Sequence, residues 1–189
     1  MARNRGGING YYYRDTYAPI DPDYESRAVE REIIAEIIWD AAQAPTTPLS
    51  GPFLFHVIEG TARIADYGER AKQYAREHRP GSVGYSWVDR SDFKIFLDAP
   101  VVIVISGHAD NSASVQDCNR AGQNLLLSTH ARGLGGCWVG APMLWLRSLE
   151  TRKELGIAEA FEPFVAITLG YATSVPPSRS RERPEIVWA

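Results

Sequence analysis

The chain has 189 residues, 44% of them apolar and 23% charged, and a formal net charge of −3. That is the balance of a single soluble globular domain, long enough to bury a full core. The slight acidity excludes an electrostatic case for nucleic acid or an anionic membrane surface, and no apolar run approaches the ~20 residues that span a bilayer. Two cysteines are too few for a disulfide framework, and residues 1–13 lack the apolar core of a secretory signal, so a reduced, cytoplasmic location is expected.

Residues 1–27 read as an irregular N-terminal arm, with Gly6, Gly7, Gly10, Pro19 and Pro22 among several tyrosines. Residues 28–189 read as one domain. Val29, Ile33, Ile37 and Ala41 recur every fourth residue, with Glu30, Arg31, Glu36 and Asp40 opposite, which predicts an amphipathic helix over 29–42. Ala44-Pro45-Thr46-Thr47-Pro48 ends it. Residues 53–58 read as a strand, 62–78 as a mostly polar helix, and 80–91 as a glycine-bearing aromatic stretch without a clean period. Pro100-Val-Val-Ile-Val-Ile105 is a continuous β-branched run, so a strand covered on both faces.

The segment 118–132 carries apolar or small residues at Cys118, Ala121, Leu125 and Ser128. Leu126, Leu127 and Ala131 widen that stripe to most of the circumference, so a buried helix is expected. Gly133 offers its left-handed cap. Gly135, Gly136 and Gly140 follow around Trp138, and read as a glycine-rich turn that a flat or anionic ligand can approach closely. A short helix over 146–155, a buried strand over 165–169, an arginine-bearing tail and a final strand at Ile186-Val187-Trp188 complete an α+β domain.

The usual catalytic side-chain groupings are missing. There is no G-x-S-x-G elbow and no Walker loop. The four histidines, at 56, 78, 108 and 130, are too scattered for a zinc site. Gly133-Leu-Gly-Gly136 follows a helix and lacks G-x-G-x-x-G, which argues against a dinucleotide-binding Rossmann domain. The two classes left are an enzyme whose cofactor brings the reactivity, and a non-enzyme.

The stretch Asp117–Pro142, with its G-L-G-G-C-W-V-G turn, resembles the end of the long central helix in nitroreductase-like flavoproteins. The resemblance covers residues 29–188. It includes A-P-T-T-P-L-S-G-P-F-L-F at 44–55, where the family usually has A-P-S-x-x-N-x-Q-P-W-x-F, then Asp98-Ala99-Pro100 and the late Pro163–Tyr171 segment. The chain departs from that pattern at Leu49 and Gly51, which replace an asparagine and a glutamine. It departs again at the N-terminus, where Arg14 is the nearest echo of the family's R-R-S-x-R, Ser26-Arg27 is a second candidate, and Arg3 and Arg5 are unplaced substitutes.

The resemblance implies a mostly antiparallel central sheet flanked by helices, a long buried helix at a homodimer interface, and FMN as cofactor. It further implies that NAD(P)H passes hydride to flavin N5 and that an electron-poor small molecule, such as a nitroaromatic or quinone, then accepts reducing equivalents. Main chain at Val139, Gly140 and Ala141 falls where the family's backbone faces the flavin. Pro45, Thr46 and Thr47 fall where a loop of the partner subunit touches the ring. Arg179, Arg181 and Arg183 match a basic region near the flavin phosphate, or are a solvated tail. Lys94 lies near the position facing the pyrimidine edge. Tyr85 and Trp87 either line a pocket for an aromatic acceptor or simply pack. Two further readings stay open: a specialised flavin reaction on the same fold, and a degenerate member that binds flavin weakly or not at all and acts as a ligand sensor or interaction protein.

Overall fold

The computed structural model describes residues 24–47, 53–79, 85–173 and 183–188. Four strands form an antiparallel sheet: β1 (Leu54–Glu59), β2 (Val101–His108), β3 (Gly135–Trp138) and β4 (Phe161–Gly170), in the order β1-β2-β4-β3. Among the described residues the helices are α1 (Arg31–Ala42), α2 (Thr61–His78), α3 (Ser114–Ala131), α4 (Met143–Leu146) and α5 (Leu149–Glu154), with a 3-10 turn at Ser86–Asp89.

The two central strands explain the layering. Alternate residues of β2 point to opposite faces. Val101, Ile103 and Ile105 join Val165, Ile167 and Leu169 of β4 in a core completed by Ile34, Ile37 and Ala41 of α1 and by Cys118, Ala121 and Leu125 of α3. Val102, Val104 and Ala166 join a second core with Ile64, Ala71 and Ala75 of α2 and Trp145 and Leu146 of α4. Helices on both faces are why β2 is a continuous apolar run although its pairing is antiparallel. Cys118, sealed in the first core, has its thiol pushed up to about 12 by burial and by the neighbouring Asp117 charge, so it is an inert packing group.

Several boundaries differ from the sequence reading. The central helix starts at Ser114, one turn before Cys118, and ends as expected: Gly133 adopts φ 76°, with Gly133 N–H donating to His130 O (3.0 Å) and Leu134 N–H to Thr129 O (3.1 Å). It is not buried around most of its circumference. Leu127 and Ala131 are exposed in the single chain. The expected helix over 146–155 is two short helices, because Ser148 leaves helical geometry and its Oγ accepts the Thr151 N–H (3.2 Å), capping α5.

Gly135 and Gly136 lie in edge strand β3 rather than in a turn. A Cβ on Gly136 would come within 3.0 Å of Leu126, so this glycine lets the strand approach α3. No strand forms at Ile186–Trp188. Trp188 is 88% exposed, and none of the described strands pairs with the segment. Residues 24–27, assigned to the arm, are docked: the Tyr24 hydroxyl meets Thr168 Oγ1 at 2.7 Å and Glu25 N–H donates to Tyr171 O at 2.8 Å.

His56, paired opposite Val104 on β1, has a buried Nε2 with no hydrogen-bond partner among the described residues. Burial holds its pKa below the ordinary 6.5, opposed by a backbone hydrogen bond with Leu155. The folded state therefore favours the neutral ring, while the unfolded chain takes up a proton near 6.5. This contribution is complete above that value and is lost as pH falls through it towards the folded-state value. Glu30, Asp40, Asp92 and Glu154 are held below the usual carboxylate range by hydrogen bonds, so their contributions fade only at lower pH. The urea midpoint is expected to fall between about pH 7.5 and about pH 5.5, and to fall less in His56→Leu. Equal slopes in the two proteins would remove His56 as the cause.

Candidate functional site

The main chain leaving β3 has an unusual division of labour. Val139 N–H donates to Ala166 O at 2.9 Å, continuing the sheet, and its side chain is buried. Gly140 O accepts Met143 N–H at 3.2 Å, which turns the chain into α4. The Gly140 and Ala141 amides donate to none of the described residues. Gly140 is exposed, and a Cβ built there meets no atom of the described residues within 4 Å. Unlike Gly136, this glycine is not required by packing among the described residues.

An aromatic wall stands on the same side of the sheet. Trp87 is buried, with ring centroids 5.7 Å from Tyr85 and 5.5 Å from Phe93, and these rings share the second core with Val139, Ala141 and Met143. Trp87 is thus committed to packing, whereas Tyr85 is half-buried. Lys94 is exposed and ion-paired with Asp98 across one helical turn's spacing. Leu97 and Asp98 are the two non-glycine residues with left-handed backbone among those described, with φ 58° and 56°. Between this segment and α2 lies a cleft of about 140 Å³ floored by Ile64, Ile95 and Phe96.

The loop after α1 lies elsewhere. Pro45 and Thr46 are exposed and Thr47 is half-buried. Thr47 is tied to Asp117 in the first turn of α3: its N–H lies 3.3 and 3.2 Å from the two carboxylate oxygens and its hydroxyl 3.2 Å from Oδ2. Among the described residues, no hydrogen bond or apolar cluster joins this loop to Val139–Ala141. Sequence reasoning gave Asp117 no role; its only signal was an acid in the first turn of a helix, where the dipole favours negative charge. Arg183 is exposed. Arg14, Arg179 and Arg181 lie outside the described residues, as do Leu49 and Gly51. Among the described residues no group of three or more His, Cys, Asp or Glu side chains is placed to hold a metal, and no helix is long and apolar enough to cross a membrane.

The sequence profile of the nitroreductase family matches residues 23–171. The chain belongs to the nitroreductase family. A Methanothermobacter thermautotrophicus relative, provisionally named an NADH dehydrogenase/NAD(P)H nitroreductase, is 30% identical over 168 residues, which is 86% of this chain and 77% of the relative. Among solved structures, the Bacteroides fragilis nitroreductase with bound FMN superposes with a TM-score of 0.79 at 17% identity, covering 89% of this chain and 92% of that one. A Desulfitobacterium hafniense nitroreductase with bound FMN gives 0.75 at 20% identity, with coverage of 89% and 92%. At these identities the superpositions establish the fold, and the α+β nitroreductase architecture read from the sequence is the one observed. For this nitroreductase-family chain, the open backbone at Gly140 is a feature that packing among the described residues does not explain.

Proposed function

We propose that the chain is an FMN-dependent oxidoreductase that takes hydride from NADH or NADPH and passes reducing equivalents to an electron-poor acceptor such as a nitroaromatic or quinone. The reading includes a cytoplasmic homodimer in which residues 28–189 form the flavin-binding domain. The observation that carries it is the Gly140–Ala141 main chain: Gly140 is exposed with open space around it, and neither amide is spent on a described residue. Those groups fit the ring end of FMN, because two main-chain donors can stabilise charge on an aromatic heterocycle without a charged side chain. The two FMN-bound proteins of the same fold and the NAD(P)H in the relative's name support the same choice of cofactor and donor.

Bound FMN supplies the hydride chemistry, for which protein side chains have no equivalent. The chain's own groups hold and orient. Gly140 and Ala141 donate to the ring, and Val139, fixed to Ala166, sets their position. Pro45, Thr46 and Thr47 approach the ring across the dimer, consistent with the lack of a hydrogen bond or apolar cluster joining them to Val139–Ala141 among the described residues. Lys94 serves the pyrimidine edge, exchanging its Asp98 partner. Arg14, Arg179, Arg181 and Arg183 take the phosphate, for which the planar guanidinium fork is suited. Tyr85 offers a flat edge to an aromatic acceptor over the Trp87 ring. The dimer surface would cover Trp39 on α1 and Val115 and Leu127 on α3, large apolar residues that are 69%, 38% and 37% exposed.

The test is the visible absorbance of freshly purified protein, with and without added FMN, followed by NADH or NADPH without oxygen. Flavin bands near one per subunit, bleached by the nicotinamide, are expected. A protein that stays colourless after FMN addition and desalting overturns the reading and favours a non-enzymatic role.

A further inference from the structure

We infer that Asp117 is a positioning residue for the flavin ring, acting through the Pro45–Thr47 loop; this rests on the flavin reading above. Asp117 is only 1% exposed, and a carboxylate so buried needs donors. It has them: the Thr47 N–H and hydroxyl, each at 3.2 Å from Oδ2, and Arg120 Nη1 at 2.5 Å from Oδ1. Arg120 is half-exposed and follows one helical turn later on α3, so the ion pair is local. The two Thr47 bonds are different in kind. They span 70 residues of sequence and fasten a connecting loop to the first turn of α3, where that helix enters the first core.

The consequence is geometric. The loop is held at one end by Ala44, buried in the first core, and at the other by Thr47 on Asp117. Between these anchors Pro45 and Thr46 are exposed. Pro45 has a fixed φ and no amide hydrogen to satisfy, so two short anchors suffice to set the pose of this pair. A loop presented outward in one conformation contacts a ligand without losing further conformational freedom on binding. An ordinary post-helix loop of this length has no need of a fully desolvated carboxylate.

The experiment uses the full-length chain and three substitutions: Asp117→Ala, Asp117→Asn and Thr47→Val. FMN dissociation constants are measured by fluorescence quenching, the spectrum of bound flavin is recorded, and Thr47 amide hydrogen exchange is followed in FMN-free protein. Asp117→Ala is expected to weaken FMN binding about tenfold, to shift the bound-flavin spectrum and to expose the Thr47 amide to exchange. Thr47→Val keeps the backbone bond and should weaken binding about threefold, and Asp117→Asn, whose amide oxygen still accepts, should recover most of the loss. If Asp117→Ala does not fold, the other two variants decide. Wild type that binds FMN, beside folded variants that bind it equally with an unchanged spectrum, overturns the assignment alone. Wild type that takes up no FMN overturns the flavin reading and this assignment with it.

Discussion

Gly140→Leu is expected to leave the fold intact while weakening FMN binding by one to two powers of ten. The two effects separate because the site of the added side chain is empty as far as the described residues are concerned. None of their atoms lies within 4 Å of a Cβ at Gly140, the residue is exposed, and its φ is not in the left-handed range. An exposed substitution of that kind shifts unfolding free energy by no more than about 0.5 kcal/mol. A leucine occupying space meant for a flat ring costs the ligand what overpacking costs a core, about 1–3 kcal/mol. Urea denaturation and FMN titration measure the two quantities independently. Unchanged FMN affinity in a folded Gly140→Leu protein would remove the 139–141 strip from the site. Gly122 is the contrast: on α3 its Cβ would come within 2.8 Å of the Trp138 ring, so substitution there disturbs packing first and the neighbouring site only as a result.

The largest loss of stability is expected from Leu125→Ala, about 3–5 kcal/mol in urea denaturation. Leu125 is fully buried on α3, in the core shared with α1 and the inner residues of β2 and β4. Removing three side-chain carbons there forfeits transfer energy and leaves a cavity between a helix and a sheet that cannot easily close over it. A loss under about 1 kcal/mol would mean that α3 is not seated on the sheet as described. Because Asp117 and Leu125 share α3, this variant also gauges how much of the loop anchor depends on the helix rather than on its own hydrogen bonds.

Much of the framework was legible because it depends on local pattern. The β-branched run from Val101 to Ile105 has no polar residue to face water, so helices on both faces follow from composition, and Gly133 after a helical stripe marks the end of α3 whatever packs on it. The site was legible only through motif likeness. Gly135, Gly136 and Gly140 are chemically identical in the sequence. The first two lie in edge strand β3, and only the third faces open space, a difference created by how β3 approaches α3 and β4. Asp117 and Thr47 were equally opaque, since a bond between residues 70 apart has no local signature.

The sequence by itself determined the α+β class, the doubly covered sheet, the nitroreductase likeness and the absence of a side-chain catalytic motif among the familiar ones. Each of these is carried by short-range periodicity or by residue order along the chain. Only the tertiary structure decided which glycine stays open, that Val139 commits its amide to Ala166, that Trp87 belongs to the core, and that a buried carboxylate fastens the Pro45–Thr47 loop. Those are outcomes of long-range packing, in which groups distant in sequence compete for the same space and the same hydrogen bonds.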